Sequence, residues 1–248
     1  MTFHDHFSDR AGAYARFRPT YPSALFEWLA AESPARSLAW DAGTGSGQAA
    51  LGLASHFDAV VATDASPEQL AEARTSPRVQ YRRGLEADSG LAPASADLVT
   101  AAQALHWFDL QAFYREVLRV LRPGGLLAVW CYGLHRVGQE VDRVFDRFYS
   151  ETVGPWWPAE RAEVETGYRR LPFPFPELAA PEFSMAAALD MAGLLAYVGT
   201  WSAVRRKIAA TGTDPILELA GELAPAWGDP AAPRLVRWPL AVRVGRAP

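Results

Sequence analysis

The residues with the clearest chemical potential form a glycine-rich segment between a predicted strand and a predicted helix, Asp41-Ala42-Gly43-Thr44-Gly45-Ser46-Gly47. Glycines let the backbone approach a ligand closely, and the amino end of a helix offers free N–H donors. The spacing is G-x-G-x-G, and Gln48 stands where a dinucleotide-binding motif requires its third glycine. The carboxylate of Asp41 would attract a cationic group such as an α-ammonium and repel a pyrophosphate. The pattern therefore indicates a ligand with a cationic group, and a tight turn for helix–strand packing is the alternative.

A second acid, Asp64, ends the next predicted strand. An acid in this place can accept hydrogen bonds from both ribose hydroxyls of an adenosine-containing cofactor. Capping of the following helix would be the ordinary role of such an aspartate, but Ser66 already fills it, with Pro67 and Gln69 in suitable places behind it. We therefore expect Asp64 to bind a ribose.

These residues need a scaffold of alternating strands and helices, and residues 37–132 have the pattern of one. The predicted strands are apolar runs at 37–41, 59–64, 79–84, within 96–105, and at 126–132. Helices are predicted over 48–57, from Pro67, and from Asp109 as far as Pro123-Gly124-Gly125. Such alternation predicts an α/β protein with a parallel sheet and helices on both faces.

The pattern changes after Gly133. We expect one domain over residues 1–248, in which about 134–185 is a helical and proline-rich lid or substrate-side insertion. The last predicted strand should close the sheet at an edge, and Pro239, which cannot donate a ladder hydrogen bond, indicates a bulge or an edge position there. The predicted elements are a helix at 135–150, a proline- and aromatic-rich segment at 154–181, helices near 191–207 and 215–226, and the strand at 234–246.

Composition excludes several functional classes. A net charge of −4 over 248 residues disfavours a globally basic nucleic-acid-binding protein. The sequence has no apolar run of about 18 residues, the length that a membrane span needs, and residues 1–10 lack the features of a signal peptide. The single cysteine, Cys131, excludes an intrachain disulfide and a cysteine-based metal cluster, and His4, His6 and His56 lack the carboxylate spacing of a metal site. We expect a cytoplasmic protein with no membrane, nucleic-acid or metal partner.

Four motifs resemble those of class I S-adenosylmethionine-dependent methyltransferases. They are Asp41 to Gly47, Asp64 at its strand end, Gln103-Ala104-Leu105-His106-Trp107-Phe108-Asp109, and Leu121-Arg122-Pro123-Gly124-Gly125. The resemblance is closer to the type-11 group and its trans-aconitate methyltransferase-like proteins, because it extends to Tyr14, Arg18 to Pro22, Gly199 to Ser202 and Trp238 to Leu240. It implies a doubly wound, Rossmann-like sheet of seven strands in the order 3-2-1-4-5-7-6, with the last strand antiparallel.

The resemblance also implies S-adenosylmethionine as the cofactor and a role for each matching residue. Asp41, Ala42, Gly43, Thr44 and Gly45 would line its methionine part, with Gln103 and Ala104 beneath, and Asp64 would hold the ribose near Ala65 and Gln69. Leu85 and Glu86 would lie beside the adenine, although Leu85 departs from the family's Ala-Glu pair. Tyr14 and Arg18 would close over the carboxylate, which a guanidinium can bind with two parallel hydrogen bonds. A solvated surface arginine is the alternative for Arg18.

Aromatic residues and one histidine are candidates for substrate binding. His106 and Trp107 follow the fourth predicted strand, at the edge where open α/β sheets bind ligands. His106 could act as a base or a donor, and Trp107 could stack on adenine or wall the substrate pocket. Trp156 could belong to an apolar substrate lid. Packing without ligand contact is the alternative for all three, and Cys131 is expected to be an inert core residue.

These features predict a methyltransferase acting on a small molecule, such as a carboxylate that would be O-methylated. A carboxylate is already ionised at neutral pH and needs no base. An NAD-dependent oxidoreductase would fit Asp64 alone, but Gln48 and Asp41 speak against it, and a Tyr-x-x-x-Lys pair is absent because Lys207 is the only lysine. A cofactor-binding protein without turnover and a methyltransferase for RNA or protein are further alternatives. We expect a monomer or a weak homodimer.

Overall fold

The computed structural model describes residues 19–248. The central sheet contains strands β1 (Leu38–Ala42), β2 (Ala59–Asp64), β3 (Val79–Arg83), β4 (Ala96–Ala102), β5 (Leu121–Tyr132), β6 (Glu177–Leu178), β7 (Phe183–Leu189) and β8 (Arg234–Arg246). The helices around it are α1 (Ser23–Glu32), α2 (Gln48–Leu53), α3 (Pro67–Ala71), α4 (Leu110–Val120), α5 (Gln139–Arg147), α6 (Arg161–Glu165), α7 (Met191–Gly199), α8 (Ser202–Thr211) and α9 (Pro215–Trp227).

The strand order confirms the predicted Rossmann-like sheet. The strands follow one another as β3-β2-β1-β4-β5-β8-β6, and β7 also pairs with β8. Strands β1 to β5 are parallel to one another, whereas β8 runs antiparallel to β5. The sheet has eight strands rather than the predicted seven, because the short strand β6 pairs with Val244 and Gly245 of β8.

Strand β8 is not the edge strand that the sequence predicts. Its residues 240–246 pair with β5, and its residues 234–240 pair with β7, so β8 has strands on both sides. Pro239 directly precedes Leu240, the first residue paired with β5, so its missing N–H lies outside the β5 ladder. The proline therefore marks a change of partner along the strand, and the edge prediction was wrong.

Local sequence signals set where the helices of the first half begin. Ser66 caps α3, since its hydroxyl accepts a hydrogen bond from the Gln69 N–H at 3.2 Å, and Asp109 caps α4 in the same way through the Ala112 N–H at 3.1 Å. In the predicted apolar stripe of α4, Phe113, Tyr114 and Val117 are buried against one face of the sheet, whereas Leu118 is 48% exposed. Helices α1 and α2 pack against the other face, so the sheet is covered on both sides as predicted.

A buried carboxylate joins the amino ends of the central strands. Asp97 in β4 accepts hydrogen bonds from the N–H groups of Ser37 and Leu38, at 2.8 and 3.0 Å. Its other oxygen accepts one from the Arg122 guanidinium in β5 at 2.9 Å. These contacts join the amino ends of β1, β4 and β5. Ligands of open α/β sheets bind at the opposite edge, beyond the carboxyl ends of the strands.

The chain after β5 is more irregular than the sequence predicts. The predicted helix at 135–150 is the shorter α5, followed by a π-helical turn, Phe148–Thr152, and a 3₁₀ turn, Gly154–Trp156. The predicted helix near 191–207 is two helices, α7 and α8. Within residues 19–248, the helices are too short or too polar to span a membrane.

Candidate functional site

The glycine-rich turn leads from the carboxyl end of β1 into α2. Gly43, Gly45 and Gly47 have φ values of +64°, +55° and +82°, which side chains other than glycine rarely adopt. A Cβ atom on Gly43 would lie 2.7 Å from the Cβ of Ala104 and 2.9 Å from the Phe108 ring. The turn is therefore pressed against the segment that follows β4, and this close approach requires glycine.

Asp64 reaches from the end of β2 across the same turn. Its carboxylate accepts hydrogen bonds from the Gly45 N–H at 2.7 Å and from the Ser66 N–H at 2.9 Å. Burial raises the pKa of this carboxyl above its ordinary value, although the two backbone donors act in the opposite direction. Each oxygen has a second lone pair, so the carboxylate can still accept two further hydrogen bonds from a ligand.

Asp41 is buried beneath the turn. Its two oxygens accept hydrogen bonds from the hydroxyls of Thr44 and Thr100, each at 2.6 Å. Burial raises the pKa of Asp41 to about 6, against the lowering effect of these two hydroxyls. The Thr44 N–H donates to the Thr63 carbonyl at 3.0 Å. Asp41 thus holds the glycine turn in place. Its negative charge would act on a bound ligand through the turn and not by direct contact.

The other residues predicted for the cofactor lie on the neighbouring strand ends. The Gln69 amide oxygen lies 3.5 Å from the place where a Cβ on Gly45 would be. Leu85 follows β3 and is 55% exposed, and the Glu86 carboxylate accepts a hydrogen bond from the Asp109 N–H at 3.1 Å. Ala42 ends β1, and Ala65 follows Asp64 directly. Tyr14 and Arg18 lie outside the described residues.

Gln103 has a role that the sequence did not reveal. It directly follows β4 with a φ of +57°, and its side-chain amide binds both backbone groups of Tyr132 at the end of β5. The two distances are 3.2 Å for the donated bond and 2.9 Å for the accepted one. Gln103 therefore joins the carboxyl ends of β4 and β5, and the segment carrying Ala104 and His106 starts from this fixed point.

His106 lies in a 3₁₀ turn, Leu105–Trp107, just beyond β4. Its Nδ1 is 2.8 Å from the hydroxyl of Tyr168, a buried residue whose φ is +62°. Burial lowers the pKa of His106 to about 3, and the positive charge of Arg161 contributes. The centroids of the Trp107 and His106 rings are 4.8 Å apart. His106 is thus a neutral, oriented imidazole, and Tyr168 is a further site residue that the sequence did not indicate.

Trp156 lies in the 3₁₀ turn after α5 and packs, partly buried, against the core on the α1 side of the sheet. Its neighbour Trp157 packs against the same core and also contacts Arg161, whose guanidinium lies 4.6 Å from the ring centre. The role of Trp156 in binding substrate stays a prediction.

Comparison with known proteins decides the family. A family model described as a methyltransferase domain matches residues 40–129, which hold the glycine turn, Asp64 and His106. A protein of Dictyostelium discoideum that is named as a methyltransferase is 33% identical over 229 residues, which cover 91% of this chain and 87% of the relative. The chain belongs to the class I S-adenosylmethionine-dependent methyltransferases.

A solved structure extends the likeness to nearly the whole methyltransferase. It is described as a type II methyltransferase from Anaeromyxobacter dehalogenans, is 51% identical, and has a TM-score of 0.88. The match covers 92% of this chain and 97% of that chain. An uncharacterised methyltransferase of Mycobacterium tuberculosis is 39% identical over 134 residues, which cover 53% of this chain and 54% of the relative. These names specify no methyl acceptor.

The residues at the carboxyl ends of β1 and β2 fit the family's cofactor, S-adenosylmethionine. Backbone N–H groups at the amino end of α2 and the carboxylate of Asp64 match an amino-acid part and a ribose. Membership of this family sets aside the alternative of an NAD-dependent oxidoreductase.

A second histidine, His135, lies close to the carboxyl end of β5 and is buried among aromatic rings. Within residues 19–248, neither of its ring nitrogens has a hydrogen-bond partner. Burial lowers the pKa of His135 to about 3, and the charge of Arg136 adds to the effect. The rings around it belong to Phe145, Tyr197, Trp201 and Trp238.

We expect the variant His135→Phe to gain stability relative to the wild type as the pH falls. Between an unfolded pKa of 6.5 and the folded value of about 3, only the unfolded chain binds the proton. The contribution of His135 to the free energy of unfolding is therefore complete above pH 6.5 and decreases below it. Urea unfolding at about pH 8 and pH 5.5 should show a relative gain of about 1.4 kcal/mol for the variant at the lower pH. A difference between the two proteins that stays constant with pH would contradict the burial of a neutral imidazole.

Proposed function

We propose that the methyltransferase transfers its methyl group to a carboxylate of a small molecule. The observation that carries the proposal is the environment of His106, whose Nδ1 lies 2.8 Å from the hydroxyl of the buried Tyr168. Burial lowers the pKa of this imidazole to about 3, so it is a weak base at neutral pH. Asp41, the other titratable group beneath the site, has both oxygens occupied by threonine hydroxyls. A phenol or an ammonium acceptor would need a proton removed, whereas a carboxylate is already ionised.

In this proposal the chain mainly binds and aligns the two reactants. S-adenosylmethionine supplies a methyl group that is activated by its sulfonium. Asp64 accepts the ribose hydroxyls, and the backbone of the glycine turn holds the amino-acid part. Gln103 fixes the ends of β4 and β5 to each other. The segment after β4 is thereby held in place, and its His106 and Trp107 form one side of the acceptor pocket. Such alignment converts an encounter of two molecules into a reaction within one complex.

The neutral imidazole of His106 has a definite part in this arrangement. One of its nitrogens, Nδ1, is engaged with the Tyr168 hydroxyl, which orients the ring. If the Tyr168 hydroxyl donates to Nδ1, the opposite nitrogen is a donor that can bind a carboxylate oxygen of the acceptor. The low pKa keeps the ring uncharged while it does so.

The proposal is tested with cofactor labelled on the transferred methyl group and a mixture of small carboxylic acids, phenols and amines. A methyl ester releases its methyl group as methanol in mild alkali, whereas N-methyl and aryl methyl ether products do not. We expect the transferred label to be released by alkali, and kcat/KM for the acceptor to change by less than about twofold between pH 6.5 and 8.5, because the acceptor is ionised throughout. Label that resists alkali would assign a nitrogen or phenol acceptor, and label that never leaves the cofactor would indicate a binding protein without turnover.

A further inference from the structure

A depression of about 480 Å³ opens beside the segment that follows α5. Two aromatic rings, one guanidinium and one carboxylate belong to its lining, namely those of Tyr149, Trp157, Arg161 and Glu165. The Tyr149 and Trp157 ring centres are 5.0 Å apart, and the guanidinium lies 4.6 Å from the Trp157 centre and 5.5 Å from the Tyr149 centre. The rings come from the π-helical turn and from the residue after the 3₁₀ turn, so the irregular part of the chain builds this surface.

Arg161 differs from many arginines of the described chain because no carboxylate oxygen among residues 19–248 lies within 4.0 Å of its guanidinium. Its Nε donates to the Tyr149 hydroxyl at 2.7 Å, and that hydroxyl donates to Glu165 at 2.7 Å. These bonds fix the plane of the guanidinium and leave its two terminal nitrogens without an acceptor in the described chain. Eight other arginines there are paired with acids: Arg119, Arg122, Arg136, Arg143, Arg147, Arg170, Arg243 and Arg246.

The Trp157 ring lies beneath this guanidinium, so the indole offers its face to the arginine. The two terminal guanidinium nitrogens suit a carboxylate, whose two oxygens can accept hydrogen bonds from both.

The depression adjoins the edge of the sheet where methyl transfer is proposed. Helix α6, which begins at Arg161, packs against the turn that carries His106. The positive charge of Arg161 is near enough to contribute to the low pKa of His106 and to act on Tyr168. A small acceptor held by Arg161 would therefore lie on the helix that packs against the His106 turn.

We propose that Arg161 binds a carboxylate of the methyl acceptor, and that the Tyr149 and Trp157 rings form the apolar wall beside its carbons. The inference rests on the proposed function for the identity of the acceptor and adds the residues that select it. Arginine suits this role because its planar fork matches a carboxylate and its face stacks on aromatic rings. The segment after β5 thus selects anionic acceptors over neutral ones.

The test uses the full chain saturated with S-adenosylhomocysteine and ligand-observed NMR. The probes are benzoate, cinnamate and glutarate, each compared with its neutral amide. We expect at least one carboxylate to bind tenfold more tightly than its amide, and Arg161→Gln to remove this preference. Arg161→Lys should keep part of it, because lysine retains the charge but loses the fork. The matched control is Arg143→Gln, which removes an exposed arginine paired with Glu140 and should leave the preference unchanged.

Affinity for S-adenosylhomocysteine, measured on every variant, shows that each one is folded and should be the same for all. If the Arg161→Gln chain binds the carboxylates as tightly as the wild type, or if the wild type binds no carboxylate better than its amide, the inference is wrong. Alkali-stable label in the methyl-transfer assay, combined with a preference for carboxylates that depends on Arg161, would instead overturn the proposed ester chemistry and leave the subsite in place.

Discussion

Replacing Gly43 by alanine is expected to lower the free energy of unfolding by about 3 kcal/mol. The backbone at this position has a φ of +64°, a conformation that costs alanine about 1 kcal/mol. The added Cβ would also stand 2.7 Å from the Cβ of Ala104 and 2.9 Å from the Phe108 ring. Relief of this overlap moves the turn or the segment after β4, at a further cost of about 2 kcal/mol.

A matched control separates strain of the backbone from the collision. Gly124 has a φ of +76°, but a Cβ there would meet no atom within 4 Å. Gly124→Ala should therefore cost only about 1 kcal/mol. Urea unfolding of the two variants and the wild type measures both effects. Equal losses for the two variants would show that the glycine turn is not held against Ala104 and Phe108.

Replacing Asp64 by asparagine is expected to weaken the binding of S-adenosylhomocysteine by about 30-fold, which corresponds to about 2 kcal/mol. The carboxylate accepts the Gly45 and Ser66 N–H groups with one oxygen each and, in our proposal, both ribose hydroxyls. An asparagine has only one acceptor oxygen, so its NH₂ group would face a backbone donor or a ribose hydroxyl. The charge that strengthens these hydrogen bonds is lost as well.

Isothermal titration of wild type, Asp64→Asn and Asp58→Asn measures this effect. Asp58 is an exposed acid that precedes β2 at its amino end, far along the strand from Asp64, so its replacement should change the affinity by less than about twofold. An Asp64→Asn chain that binds S-adenosylhomocysteine as tightly as the wild type would remove Asp64 from the cofactor site.

The first half of the fold was predictable because its signals are local. A buried parallel strand is a continuous apolar run, and β2 was predicted at its observed limits, 59–64, for that reason. Ser66 and Asp109 cap helices with side chains that reach only to the first turn, so the positions of α3 and α4 can be recognised from a few residues.

The second half was harder because its strands depend on distant partners. Strand β7, Phe183–Leu189, contains three consecutive alanines and lacks β-branched residues, so its sequence has little strand character of its own. It forms because β8 supplies a ladder along its whole length. The interior position of β8 likewise depends on pairing with β5, more than 100 residues earlier in the chain, as for Trp130 with Val242.

The candidate site shows the same division. The glycine turn and Asp64 belong to motifs with fixed spacing, whereas the Gln103–Tyr132 and His106–Tyr168 contacts join residues 29 and 62 positions apart. The sequence could not predict the positive φ values of Gln103 and Tyr168, because residues of these types rarely adopt them. Tyr149, Trp157 and Arg161 form no motif, and only their packing brings the rings and the guanidinium together.

Because β8 lies between strands that precede it in the chain, the sheet cannot close until synthesis has passed residue 246. During synthesis β5 and β7 leave the ribosome before β8, with which both of them pair. Until then β5 has one edge without a partner strand, and β7 has no hydrogen-bonded partner strand. Such edges are templates for pairing with other chains. Until β8 pairs with both, the free edge of β5 and the unpaired β7 segment are therefore open to aggregation with other chains.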